Sequence, residues 1–515
     1  MANNARHCIY YFTTFFPCVK RFLRFFYAAA RFSRPGEGKP EPEAAETEQK
    51  MRERNYSSYV TEPEKRIPVI HEADVCVVGG SATGVFAAVR AARLGAKVVI
   101  VEEQNSFGGV ATNGLVSLWH STWDIGMHKQ IIAGLTDEVM NRLSEIDCRK
   151  GPGQSFFFNP VELKIELDAI LKEENVKIYL HTMYTGLACD GDRITHIYVE
   201  NKDGRGAIKA KFFIDATGDG DLCRDLGVES YLNDNIQPPS AVYLMQGTHD
   251  DDKKRYYNIP FNEDIVPRMI YDYGEEFGLE PDWGWDTFIP GLQNMHFRAD
   301  THVFNLNCAH ADELTEAEII GREKMRKVIR MMRKYGNPDE TYALIAACSY
   351  IGIRDTYHYK TKYRAEHMDL LLGKRYEDNI LNGTYDVDVH QAGSGIKFMR
   401  LNGECATEYT DGTRVVSNWR EEMGLPTDGP MPTYYSLPFR VLVQEKFENI
   451  IAAGRMINAD IESFGALRVM VNLNQIGEAA GVAAYLAVNE GKKIQDVDGV
   501  KVAQTLARGG SANLA

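Results

Sequence analysis

His390 closes the run Tyr385-Asp386-Val387-Asp388-Val389-His390, so an imidazole follows two acids that can orient it. An imidazole titrates near neutrality, which suits it to take or give a proton while another group moves electrons. The same residue can equally sit in a core or at a surface with both nitrogens satisfied. Arg354, Arg440 and Arg468 offer guanidiniums for a substrate carboxylate or for negative charge building on a reduced ring, and each is as well suited to a structural salt bridge. Asp386 and Asp388 stand two apart and share a face in a strand. Two carboxylates alone make no metal site, and none is expected.

Residues 75–103 supply a scaffold for such chemistry. The run Val75-Cys76-Val77-Val78 is apolar and ends in Gly79-Gly80-Ser81-Ala82-Thr83-Gly84, which opens a small-residue helix. A second apolar run ends at Glu102, roughly 20 residues on, which completes a strand–turn–helix–strand unit for a dinucleotide. Gly79 permits the tight turn, Gly80 and Ser81 leave room for a pyrophosphate, and Gly84 lets the helix pack closely. The helix N-terminus presents N–H groups and partial positive charge to phosphates, and Glu102 can accept ribose hydroxyls. Ser81 stands where a second glycine is usual, and it is small enough to keep the approach open. A βαβ unit that binds no phosphate is the alternative. Next comes Gly108-Gly109-Val110-Ala111-Thr112, a loop leading from the acid toward a substrate side.

The length of 515 residues suggests two intimately packed domains plus tails. Hydrophobic residues at 44% and charged ones at 25% are those of a globular protein in water. A net charge of -14 argues against a nucleic-acid partner, because phosphate attraction needs a basic face. None of the nine cysteines forms a CxxC pair, so zinc-ribbon and iron–sulfur ligand spacing is absent. Scattered thiols fit a reducing compartment, and a cytoplasmic location is expected. Residues 1–65 read as an extension, largely disordered or preceding the biological start at Met51. Its aromatic stretch is too short to span a bilayer. A signal peptide ending near Ala28-Ala29-Ala30, or an interfacial anchor through Phe22, Phe25 and Phe26, are the other readings.

Downstream, Asn159 and Pro160 read as the N-cap and first position of a helix. Residues 176–181 and 194–199 read as strands, and 210–214 as a strand entering the turn Asp215-Ala216-Thr217-Gly218-Asp219. Residues 230–432 are rich in Tyr, Asp and Asn. They hold one clear helix over 316–335, with Ile319, Ile320, Val328, Ile329 and Met332 expected in its core face. A short strand at 449–452 then leads to Gly454 and Arg455, and a small-residue helix over 472–488 is suited to packing on a sheet. The fold class is α/β. An expected division runs 66–229 for the nucleotide domain, 230–432 for an inserted substrate or cap domain, 433–492 for the closing segment and 493–515 for a tail.

Taken in order, these motifs resemble the FAD-dependent oxidoreductase family whose flavin domain is similar to that of the flavin-bearing subunit of heterodisulfide reductase. The resemblance runs from about Ala73 to Ala487 and includes Gly352-Ile353-Arg354-Asp355-Thr356, Tyr435-Ser436-Leu437-Pro438-Phe439-Arg440 and Leu467-Arg468-Val469-Met470. It implies a Rossmann-like, three-layer, glutathione-reductase-like domain carrying a large α+β insertion. It also implies FAD lined by Gly79, Gly84, Glu102, Gly109, Thr217, Gly218 and Gly454. Asp355 departs from the glutamate more usual there, and 460–465 lacks the histidines common in relatives, so substrate identity does not carry over. The expected function is a dehydrogenase or oxidase moving a hydride between a small polar organic substrate and flavin N5. The acceptor and the oligomeric state stay unspecified. An electron-transfer subunit of a heterodisulfide-reductase-like complex, and a flavin-binding scaffold without turnover, are the alternatives.

Overall fold

A computed structural model describes residues 58–150, 155–247, 265–292, 294–391 and 395–512. The readings of the N-terminal extension before residue 58 lie outside these. Residues 65–515 form one compact unit; of residues 1–64, those from 58 onward are exposed coil.

The central sheet has seven strands. They are β1 (Val69–Val78), β2 (Val98–Val101), β3 (Lys177–Tyr179), β4 (Met183–Asp190), β5 (Arg193–Asn201), β6 (Gly204–Asp215) and β7 (Ile450–Ala452). The order is β3-β2-β1-β6-β5-β4, with β7 also on β6. β6 changes partner along its length: residues 204–209 pair antiparallel with β5, and 213–215 pair parallel with β7. A segment more than two hundred residues downstream therefore completes the sheet beside β6, on the side away from β1. Residues 75–78 of β1 and all of β2 are continuous apolar runs because both faces are covered, one by α-helices and the other by a core that includes Ile194, Ile197 and Val199 of β5.

Helix α1 (Ala82–Arg93) follows β1 and lies against α2 (Met470–Glu490). A Cβ on Gly477 would stand 2.2 Å from the Thr83 carbonyl oxygen, and one on Gly481 2.3 Å from that of Ala87. The small residues of α2 thus serve a helix–helix contact first, with the sheet as a lesser neighbour. Asn159 caps the helix Pro160–Glu173 as the sequence indicates, its Oδ1 accepting the Val161 N–H at 3.0 Å.

The block 230–432 divides between two cores. A four-stranded sheet (243–246, 286–288, 295–298 and 343–347) and the helix Ala311–Tyr335 enclose a core of their own. Leu370, Leu381, Val387, Val389 and Trp419 instead join the core that contains α1 and α2. In the long helix, Ala317, Gly321, Met325, Val328, Ile329 and Met332 face inward, whereas Ile319 is 50% exposed. Adjacent Ile319 and Ile320 lie about 100° apart around a helix, so they cannot share its centre line. Where a tail was expected, the helix Gly499–Arg508 is capped by Asp498 and buries Val502, Ala503 and Leu506.

Candidate active site

The C-terminal ends of β1, β6 and β7 lie side by side, where a strand order that reverses about β1 opens a crevice. Gly79 adopts φ +100°, and a Cβ there would stand 2.3 Å from the Ala216 carbonyl oxygen at the end of β6. Gly84 lacks a Cβ that would stand 2.0 Å from the Gly79 carbonyl oxygen, so α1 starts directly on the turn. Ser81 occupies the N-cap without a side-chain cap bond, and the first-turn N–H groups of Ala82, Thr83 and Gly84 have no acceptor within the helix.

The Glu102 carboxylate is buried at the end of β2. It accepts the Gly80 N–H at 2.5 Å and the Gln104 N–H at 2.7 Å. Burial pushes its carboxyl pKa up, against the lowering effect of those donors. The second glycine loop packs on the first: Gly108 N–H donates to the Gly80 carbonyl at 2.8 Å. A Cβ on Gly109 would stand 3.1 Å from that of Ser81. Ala111 and Thr112 are fully buried, and the Thr112 hydroxyl donates to the Phe107 carbonyl at 2.6 Å. Their side chains shape the loop.

At the end of β6, Asp215 accepts the N–H groups of Leu222 and Cys223, each at 3.0 Å, and the Thr217 hydroxyl at 2.8 Å. The Thr217 oxygen in turn accepts the Gly220 and Asp221 N–H groups. Gly218 leaves room for the Arg455 guanidinium, which pairs with Asp219. Gly454, at φ +146°, leaves β7 beside them, and Ala453 N–H donates to the Asp215 carbonyl at 2.8 Å. The structure therefore brings the glycine turns at 79–84, 108–109, 218 and 454 to one edge of the sheet.

A second group of residues surrounds Asp388, on the strand Val387–Gln391. Its Oδ2 accepts the Tyr385 hydroxyl at 2.7 Å and Nη2 of Arg468 at 3.0 Å. Its Oδ1 lies 3.6 Å from Nε2 of His390. Arg468 arrives at the end of the helix Ile461–Leu467, which rests on this strand because a Cβ on Gly465 would stand 2.6 Å from the Asp388 carbonyl oxygen. The His120 ring lies against that of Tyr385, centroids 4.3 Å apart. The His390 ring lies tilted against that of His302, centroids 4.7 Å apart, and Nδ1 of His302 bonds Oδ1 of Asp282 at 3.0 Å. Burial, then the charges of His302, Arg354 and Arg468, hold the His390 pKa well below the usual imidazole value. Burial likewise takes His120 down to about 4.

Arg354 acts on this group through its charge, and its neighbour Asp355 is tied to the same group through Gln237. Gln237 donates its N–H to Asp355 at 3.1 Å, while its side-chain oxygen accepts the His390 N–H at 2.7 Å. The segment 352–356 runs between the loops that hold Val110 and Asp219. At one end a Cβ on Gly352 would meet Val110 Cγ1 at 4.0 Å; at the other, the Thr356 hydroxyl donates to Asp219 at 2.7 Å. Asp355 holds His358 at 2.9 Å in the core.

Two expectations fail. Arg440 is not in this group: it pairs with Asp378 at 2.8 Å with its side chain 46% exposed, beside the Tyr363 and Tyr376 rings. Asp386 turns away to Arg400 at 2.8 Å, so the two acids do not jointly orient His390. His120, His302, Asp282 and Tyr385 carried no role in the sequence reading. Only Tyr385 lay within a motif singled out there; the other three give no local signal, being apart in the chain and joined by folding.

Loops of glycine at parallel strand ends, a helix N-terminus and a ribose-reach acid define a nucleotide-binding α/β protein of the flavoprotein kind. Residues 74–506 match the FAD dependent oxidoreductase family, and the chain belongs to it. The protein is an FAD enzyme of the oxidoreductase class. FAD fits what the strand ends offer, since backbone without side chains and unpaired helix N–H groups form a cradle that Cβ atoms would fill. Thiamine thiazole synthase of Methanococcus vannielii is 27% identical over 180 residues, covering 31% of this chain and 64% of that protein. The Pyrococcus horikoshii enzyme of the same name is 26% identical over 186 residues, covering 34% and 69%. The chain thus spans 64% of the length of the first of these relatives. Among solved structures, a geranylgeranyl bacteriochlorophyll reductase-like protein from Thermoplasma acidophilum aligns with TM-score 0.43 and 11% identity, over 86% of this chain and 84% of that one. Among the described residues no helix is long and apolar enough to cross a membrane.

Proposed function

We propose that this enzyme moves a hydride between a small polar organic substrate and the flavin N5, as a dehydrogenase or oxidase. The diphosphate is held by the main chain of Gly79, Gly80, Ser81, Ala82, Thr83 and Gly84, and the adenosine ribose by Glu102. Gly108, Gly109, Gly218, Gly454 and Arg455 line the same cofactor, so residues 66–229 and 433–492 carry FAD and 230–432 carry most of the substrate side. Bound flavin supplies a two-electron acceptor.

The observation that carries this reading is the Asp388 group. One buried carboxylate gathers Tyr385 and Arg468 on one oxygen and leaves its other oxygen facing His390. Buried polar constellations of this kind, with a strongly lowered imidazole pKa, are typical of sites that handle protons. Because burial keeps His390 neutral, it can accept a proton at physiological pH. Asp388 stabilises the imidazolium that results, at a distance where its action is electrostatic. Tyr385 and Arg468 fix the carboxylate in place.

The test is an absorbance scan of the purified protein, then anaerobic bleaching across alcohols, sugars and organic acids. A yellow protein bleached by one of these classes, and about a hundredfold slower in His390→Gln, is expected. A colourless protein that takes up no flavin, or a flavin no organic substrate reduces, ends the proposal. A heterodisulfide-reductase-like electron-transfer subunit would instead copurify with iron.

A further inference from the structure

The charges of the substrate side do not balance. Arg354 and Arg468 act on each other and on His390, and among the described residues the one carboxylate bonded to either of them is Asp388, which Arg468 takes. Asp282 has its own neighbours, His302 and, at 4.0 Å, the Lys324 ammonium. Arg354 donates Nη1 to the Pro238 carbonyl at 2.6 Å and to the Ser240 hydroxyl at 2.7 Å. Both are neutral acceptors, and no carboxylate among the described residues pairs with it. Burial and the neighbouring Arg468 push this guanidinium down to about 10 against the pull of Asp388 and Asp282, so it stays charged at neutral pH, partly buried and with no carboxylate bonded to it. A partly buried guanidinium bonded only to neutral acceptors offers its remaining N–H groups to a carboxylate from solution.

Near this guanidinium stands an imidazole with one ring nitrogen unused. Asp282 can only accept, so Nδ1 of His302 carries a hydrogen and Nε2 is the ring atom left to meet a ligand. That Nε2 is buried and has no hydrogen-bond partner. A ligand that satisfies both groups presents an anion to the arginine and a hydroxyl to the imidazoles. An ammonium would face the same positive surplus, which selects a hydroxyl over an amine.

Resting on the hydride-transfer reading above, we propose that the substrate is a small 2-hydroxy carboxylate whose carboxylate seats on Arg354 and whose hydroxyl faces His302 and His390. In the step, the O–H proton passes to an imidazole nitrogen and the C–H bond leaves with its electron pair as hydride to the flavin. The C–O bond becomes C=O, giving a 2-oxo acid.

Binding is read separately from turnover, by titrating the flavin-loaded protein with oxalate, malonate, malonamide and inorganic phosphate. The readouts are the visible flavin spectrum and the melting temperature. Malonate or oxalate at millimolar concentration is expected to shift both, and neutral malonamide neither. Arg354→Gln weakens carboxylate binding roughly tenfold or more, with Arg354→Lys between it and the parent. If Arg354→Gln does not fold, the parent's preference for malonate over malonamide and the Arg354→Lys loss decide the matter. Equal binding of malonamide, phosphate as good as carboxylate, or no response to any carboxylate overturns the proposal. Flavin bleached by neutral alcohols alone overturns it while leaving hydride transfer intact. Arg354-dependent carboxylate binding without reduction by any 2-hydroxy acid overturns the assigned substrate, and the hydride reading falls with it only if no alcohol, sugar or other acid reduces the flavin either.

Discussion

The rings of His302 and His390 lie against each other with centroids 4.7 Å apart, and each imidazole faces its own aspartate, Asp282 and Asp388. Two imidazoles this close cannot both be charged cheaply. His390 is held neutral by burial and by the positive groups around it, namely His302, Arg354 and Arg468. The acid limb of flavin reduction is therefore expected well below the ordinary imidazole value. The pH dependence of anaerobic reduction checks this, and an inflection near the free-histidine value would contradict it.

His120 links pH to stability in the same direction. Its value in the folded protein is about 4 against an ordinary 6.5, because burial opposes the charged form more than Asp388 favours it. Between those values the unfolded chain takes up a proton that the native one refuses. The stabilising contribution is complete above pH 6.5 and declines as pH falls toward 4, by up to about 1.4 kcal/mol per pH unit. Urea unfolding at several pH values should show a shallower acid slope in His120→Gln than in the parent.

Asp388→Asn removes the charge that Tyr385 and Arg468 share. The Arg468 side chain is only 10% exposed, so its guanidinium would be left buried and uncompensated. A loss of about 3 kcal/mol in unfolding free energy is expected. Slower flavin reduction should accompany it, measured on protein that retains its flavin spectrum. Unchanged stability would mean that Arg468 finds another acceptor.

Gly84→Ala tests the cofactor edge. The added methyl would overlap the Gly79 carbonyl oxygen, 2.0 Å from its ideal position, and backbone must move to admit it. Because α1 and the turn would separate, the expected product is a folded protein with little or no bound FAD, read from its absorbance ratio at the flavin and protein bands.

The cofactor edge was legible because its demands are local. A turn at Gly79, a close contact at Gly84 and an acid at Glu102 must each be met within one strand–helix–strand unit, and the residue types record them. The substrate side was legible only as residue types. His390, Arg354 and Arg468 converge, yet Arg440 reads the same in sequence and pairs outward with Asp378. Nothing along the chain tells which guanidinium meets a carboxylate and which does not. His120, Asp282 and His302 come from distant segments, and long-range packing alone assembles them around Asp388. For α2, the spacing of Gly477 and Gly481 marks a surface of close approach, but not whether a sheet or α1 fills it.

That contact between α1 and α2 is fastened by a buried ion pair. Arg90 and Glu478 meet with side chains 6% and 1% exposed. Glu478 also accepts the Leu135 N–H at 3.0 Å and the Ser511 hydroxyl at 2.9 Å, and Arg90 donates to the Gly509 carbonyl at 3.1 Å. Four distant segments are thus tied through two side chains. Glu478→Ala would strand the Arg90 charge and leave the Leu135 and Ser511 donors unmet, costing about 3–5 kcal/mol. Arg90→Met with Glu478→Leu removes both charges together and is expected to recover much of that loss. Denaturant unfolding of the single and double variants separates these outcomes. A double variant no more stable than Glu478→Ala would mean that the donors around Glu478, and not the stranded charge, set the cost.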